Sequence, residues 1–145
     1  MNMADNRIVV GADGSELSIS ALRWAARQAE LTDAELLVVT GYDIPATIWI
    51  TPTYTEEDYA RDAERLLEHT VSKAFEESPC QVPMRTALLQ EKPALALANI
   101  SEGARLLVIG SQGQGELPGM HLGSVASYCV HHAPCPVLIY RHQDD

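Results

Sequence analysis

Apolar residues fall in two rhythms that alternate along the chain. Four segments have a continuous apolar centre: Arg7–Asp13 (RIVVGAD), Ala34–Asp43 (AELLVVTGYD), Arg105–Gly110 (RLLVIG) and Pro136–Arg141 (PVLIYR); a further strand segment, Val82–Leu89 (VPMRTALL), has Arg85 and Thr86 between its apolar residues. Short unbroken runs of this kind suit strands buried on both faces. Between them the spacing turns helical. In SELSISALRWAARQAELT, Leu22, Ala25, Ala26 and Ala29 share a face with Trp24 on its edge. In EEDYARDAERLLEHTVSKAFEES, the residues Tyr59, Ala63, Leu66, Leu67, Val71, Ala74 and Phe75 form one stripe. Thr55 with Asp58 three residues on marks the start of that helix, with aspartate in place of the usual glutamate of a capping box. KPALALANISEGA carries Pro93 in its first turn and reaches a stop at Gly103, and SVASYCVHHA forms a short last helix.

Strand and helix alternate from first to last, which predicts an α/β fold of one domain. It is a doubly wound parallel sheet of five strands with helices on both faces. The length of 145 residues suits a single core. One connection stands out. YDIPATIWITPTYT holds prolines and Trp49 and is long for a compact domain, as binding loops and lids often are.

Charge narrows the partners. A net charge of −10 argues against nucleic acid and against an anionic membrane surface, because both need basic patches. The N-terminus lacks signal-peptide anatomy and no run is long and apolar enough to span a bilayer, so a cytoplasmic location is expected. Cysteines stand at Cys80, Cys129 and Cys135. An odd number without a signal peptide suits reduced thiols. Cys129, His131, His132 and Cys135 are close in sequence. No pair has C-x-x-C spacing, and Cys135 sits between prolines before an apolar strand, so a helix end is the plainer reading than zinc.

Two strand ends carry glycines: VVGADGS after the first strand and VIGSQGQG after the fourth. In an open parallel sheet, ligands bind beyond the carboxyl ends of the strands, where the winding reverses. If those two strands are neighbours, the loops flank one crevice. Gly110, Gly113 and Gly123 would then permit positive φ and close approach of a ligand. Ser124, at the start of the last helix, and the amides of that first turn offer donors to phosphate. The segment GSQGQGELPGMHLGSVAS contains no lysine or arginine, so amides would have to stand in for the cation of most phosphate loops. A plain turn with a capping serine is the competing reading. His121 inside the loop and Trp49 in the long connection are further candidates for contact with a ligand.

The spacing Gly110-x-x-Gly113, nine residues, Gly123-Ser124 resembles the G-2x-G-9x-G-[S/T] signature of the universal stress protein family. IVVGADGSELSISALRWAARQA resembles the family's opening strand and helix, and PALALANI, RLLVIGSQGQG and LGSVASYCVHHAPCPVLIY resemble its later parts. The resemblance implies the strand order 3-2-1-4-5 and a Rossmann-like fold related to the adenine nucleotide alpha hydrolases. It implies adenine near Asp13 and Gly41, with ribose and phosphates against Ile109, Gly110, Ser111, Gln112, Gly113, Gly123, Ser124 and Val125. Gly11 and Ser15 match the opening G-x-D-G-S pattern. The implied ligand is ATP, or ADP or AMP, with Mg2+ held through the phosphates. The chain departs from the pattern at Gln112 and Gln114, where such members often carry a cation, and at Glu91, where a glycine is common. Pro118 stiffens the spacer.

Machinery for fast phosphoryl transfer is missing from the sequence. There is no GxxxxGK[ST], and the lysines, Lys73 and Lys92, lie outside the crevice segments. No G-x-S-x-G elbow occurs. Two readings stay open: a regulatory ATP-binding protein with at most slow hydrolysis, and a nucleotide-free dimeric interaction protein on the same fold. A flavin protein is a third, poorly served by the aromatics of these loops. The fifth strand, Pro136 to Arg141, would lie at a sheet margin, and its exposed edge points to a homodimer with the two fifth strands antiparallel.

Overall fold

The computed structural model describes residues 6–50, 53–113 and 122–141. Gln114, Pro118 and His121 lie outside the described residues. Five strands form one parallel sheet: β1 Arg7–Gly11, β2 Glu35–Tyr42, β3 Met84–Gln90, β4 Leu106–Gly110 and β5 Val137–Tyr140. Their order is β3-β2-β1-β4-β5, as the resemblance implied. Four helices alternate with them: α1 Glu16–Thr32, α2 Glu56–Ala74, α3 Pro93–Ile100 and α4 Ser124–His132.

The pleat divides the apolar strand residues between two core layers. Ile8, Val10, Leu36, Val38 and Val108 pack with Leu22, Ala25 and Ala29 of α1 and Leu67 of α2. Val9, Val39, Leu107 and Ile109 face the other way, toward Leu97 of α3 and Cys129 of α4. This two-sided burial is why the centres of β1, β2 and β4 read as unbroken apolar runs, whereas β3 at the margin exposes Arg85 and Thr86. β5 obeys the same alternation: Leu138 and Tyr140 pack on the first layer and Val137 on the second.

Helix ends explain several boundaries. Ser15 caps α1, its side chain accepting from the Ser18 amide, and Asp33 ends that helix in the left-handed region at φ 54°. Thr55 and Asp58 form the reciprocal box at the start of α2. The amide and hydroxyl of Thr55 hold the Asp58 carboxyl below its usual range. α3 stops at Ile100 rather than running on to Gly103, which takes φ 77° in the turn that follows. Within the long connection, Ala46–Trp49 forms a short 3-10 turn. Its Ile48 is buried while Trp49 is 80% exposed.

Cys129 is fully buried in the second layer. Burial, with Cys135 nearby, pushes its thiol up to about 11. Burial also raises Cys135. Among the described residues, no three His, Cys, Asp or Glu side chains gather as a metal-holding set. No helix among them is long and apolar enough to cross a membrane.

Two outcomes follow from this packing. Gly41 lies where β2 meets the start of α3; a Cβ there would stand 2.9 Å from Glu91 O, Pro93 Cα and Ala96 Cβ. Two of these are backbone atoms that cannot swing away. Gly41→Ala should therefore cost about 1–3 kcal/mol in urea denaturation, and an unchanged midpoint would contradict the packing. The raised Cys129 thiol favours the neutral form in the folded state. Its contribution to stability is complete below the ordinary thiol range near 9 and is lost as pH rises towards about 11. Cys129→Ala should flatten that alkaline loss in melts recorded across this window.

Candidate functional site

β1 and β4 are adjacent and parallel at the centre of the sheet. The chain leaves β1 for α1 on one face and leaves β4 for α4 on the other. The two loops diverge and open a crevice beyond the carboxyl ends of the strands.

The first wall is the corner after β1. The Ala12 amide donates to Val39 O at 2.9 Å, and the Thr40 hydroxyl donates to Ala12 O at 2.7 Å. The corner then turns through Gly14 at φ 82°, a conformation that favours glycine. Asp13 Oδ1 accepts from the Ser15 amide at 2.9 Å and from the Ser15 hydroxyl at 2.5 Å. Asp13 thus has a turn-forming role, and it also lines the crevice.

The second wall is the end of β4 and the start of α4. The Ser111 amide donates to Tyr140 O at 2.7 Å, and the Gly123 amide donates to Ser111 O at 2.7 Å. These bonds draw the first turn of α4 back against the strand end. Gly123 caps the helix at φ −64° and supplies no side-chain acceptor. α1 and α2, by contrast, have their first-turn amides capped by Ser15 and Thr55. The α4 N-terminus thus presents donors and the positive end of a helix dipole beside the crevice.

The glycines act by close approach rather than by handedness. Gly123 has negative φ, and among the described residues positive φ occurs at Gly14, Gly103 and Asp33. A Cβ on Gly110 would come within 3.1 Å of Leu17 Cβ, so this strand end is pressed against α1. Gly11 is similarly covered by Leu97, whose Cδ1 would lie 2.9 Å from a Cβ.

The cavity between the walls encloses about 190 Å3. It brings together Gly11, Asp13, Gly41, Ile109, Gly110, Gln112, Gly113, Gly123 and Val125. Ser15 is instead engaged as the cap of α1, Ser111 lies in the bond pattern behind the loop, and Ser124 is exposed at the helix start. These three serines do not line the cavity. Sequence reasoning missed several of its residues. Val39, Leu97 and Ala126 were legible only as core, and Leu66 as a member of the α2 stripe. Leu66 is 39% exposed and faces the cavity from α2. Pro93 brings the start of α3 to the same space. Trp49, the stacking candidate, is not among the lining residues.

Chemically the crevice combines apolar and polar lining. Val39, Leu97, Ile109 and Ala126 supply apolar surface, and Asp13, Ser18, Thr40 and Gln112 supply polar groups. Gln112 is buried at 9% exposure, a neutral amide where a cation was the alternative. No lysine or arginine lines the described part of the cavity.

Comparison with known proteins agrees with this architecture. The sequence profile of the Universal stress protein family matches residues 6–141. Universal stress protein Rv2623 of Mycobacterium tuberculosis is 34% identical over 142 residues, covering 94% of this chain and 48% of that protein. The chain spans about half the length of the curated relatives it matches. Among solved structures, a universal stress protein from Archaeoglobus fulgidus in complex with dAMP is 25% identical with a TM-score of 0.68. The match covers 93% of this chain and 97% of that one. A universal stress protein in complex with cAMP is 25% identical with a TM-score of 0.62, over 95% of this chain and 98% of that one. The fold, the paired glycine-bearing strand ends and the profile match lead to one conclusion: the chain belongs to the universal stress protein family.

Proposed function

We propose that this chain binds an adenine nucleotide in the crevice between β1 and β4 and acts as a regulatory protein of the stress response in the cytoplasm. One observation carries the reading. The winding reversal places an apolar slot between the Asp13 corner and an α4 N-terminus that its own Gly123 leaves uncapped. Val39, Leu97 and Ile109 suit the faces of a purine. Asp13 can accept from its amino group or from a ribose hydroxyl. The amides around Gly113 and Gly123 suit phosphate. The complexes of two family members with dAMP and cAMP support the same ligand class.

ATP is the proposed ligand, with ADP or AMP held through the same base and ribose contacts. Mg2+ would enter on the phosphates and offset their charge. That help matters in a chain of net charge −10 whose cavity wall has no lysine or arginine among the described residues. Each helix-end interaction with an anion contributes about 0.3–1 kcal/mol, or up to about 2 kcal/mol when partly buried. Several such contacts add up to useful affinity without a side-chain cation. The neutral Gln112 in the wall favours a second reading, a nucleotide-free interaction protein that retains the loop as scaffold. Mass spectrometry of the denatured purified protein separates the two: a released adenine nucleotide supports the first.

Gly113→Leu and Gly123→Leu should place side chains where phosphate lies. Both should lower ATP affinity at least about tenfold by calorimetry, equivalent to about 1.4 kcal/mol, while leaving the fold intact. A well-folded variant with parental affinity would contradict the site.

We further propose a homodimer through β5. This strand lies at the sheet margin, pairs only with β4 among the described strands, and has four half-buried residues, Val137–Tyr140. Two copies running antiparallel would satisfy the open backbone edge. Sedimentation at micromolar concentration should give a dimer. Leu138→Pro, which removes a backbone donor, should shift it toward monomer. A monomeric parent chain would overturn the interface.

A further inference from the structure

Two buried threonines hold the Asp13 corner. Thr40 on β2, 3% exposed, donates to Ala12 O at 2.7 Å. Thr70 on α2 is fully buried. Its hydroxyl donates to Leu66 O at 2.8 Å and accepts from the Gly14 amide at 3.0 Å. A hydroxyl has one proton, so the bond to Leu66 O turns the oxygen lone pairs toward Gly14. The back-bond to the carbonyl four residues earlier also fixes the threonine rotamer, which is β-branched and already stiff.

Gly14 is the pivot of the corner. It has no Cβ to restrict it and sits at φ 82°. The residue after it, Ser15, gives the Asp13 carboxylate two bonds, from its amide and its hydroxyl. The residue whose carbonyl anchors Thr70, Leu66, lines the same cavity with Asp13. One buried hydroxyl therefore ties the α2 wall to the turn that aims the carboxylate.

We propose that Thr70 is a positioning residue: acting through Gly14, it fixes the Asp13 carboxylate and so sets the affinity of the crevice for the base and ribose half of its ligand. This rests on the nucleotide-binding reading above. The role belongs to the hydroxyl and not to the bulk of the side chain. Valine keeps the shape and loses the acceptor, whereas serine keeps the acceptor.

The test uses AMP as probe, calorimetry, and four variants: Thr70→Val, Thr70→Ser, Asp13→Ala and the Thr70→Val/Asp13→Ala double. Thr70→Val should weaken AMP at least about fivefold, and Thr70→Ser should stay within about twofold of the parent. The double variant should bind within about twofold of Asp13→Ala alone, since both changes remove one interaction. Full AMP affinity in a folded Thr70→Val protein, or losses that multiply in the double variant, would overturn the proposal. If Thr70→Val does not fold, Thr70→Ala carries the same comparison with a residue of high helix propensity.

Amide hydrogen exchange at Ser15 supplies a readout that needs no ligand. Exchange should quicken in Thr70→Val and return to the parental rate in Thr70→Ser. If the parent binds no AMP, the nucleotide-binding reading fails and the exchange data alone decide whether Thr70 holds the corner. Unchanged Ser15 protection in Thr70→Val would overturn it.

Discussion

The reversal of winding between β1 and β4 is the constraint on which the site depends. Both strands are parallel, adjacent and buried on two faces. Right-handed crossovers then force the chain to leave them on opposite sides of the sheet. No side chain has to dig the resulting crevice; it is left by connections that part. What the sequence adds is its lining: small residues where the backbone must come close, and apolar residues in the middle. Polar groups come from the two loops and from Ser18 of α1 and Thr40 of β2.

This origin bears on how a crevice lined by no lysine or arginine among the described residues would suit the proposed anion. The Gly123 amide is drawn onto Ser111 O, which docks the first turn of α4 at the strand end. The cap residue has no side chain, so the donors of that turn keep their outward capacity. Ser124 is exposed and Gln112 is buried and neutral, so the positive character of the wall comes from backbone dipoles. Dipoles are fixed by the fold and bring no net charge. Under the proposed nucleotide binding, the chain would remain strongly acidic overall while backbone dipoles meet the phosphate.

The sheet was legible in the sequence because two-sided burial leaves a distinctive trace, as in the run Leu36–Val39. Strand order followed from the glycine spacing through the family resemblance, not from the apolar pattern alone. Other features left weaker traces. Leu66 belongs to the same helical stripe as Leu67, yet the first faces the cavity at 39% exposure and the second is core at 6%. A spacing rule cannot separate neighbours at the edge of a stripe. Trp49, in a long loop, was a stacking candidate with packing the commoner reading; a 3-10 turn instead buries Ile48 and leaves the indole outward. Thr40 and Thr70 were invisible because a threonine within an apolar stripe reads as a small core residue. Only the structure shows which carbonyl and which amide the hydroxyl joins. The handedness expected of the signature glycines belonged instead to Gly14, since Gly123 needs only an extended cap.

The most direct test of the account is a nuclear magnetic resonance titration of the isotope-labelled protein with AMP, read at backbone amides. The account predicts saturable shifts that concentrate at Asp13, at Gln112 and Gly113, and at Gly123 to Val125, with little change along the outer faces of α1 and α2. Absence of shifts at millimolar AMP, or shifts that cluster away from the carboxyl ends of β1 and β4, would contradict it.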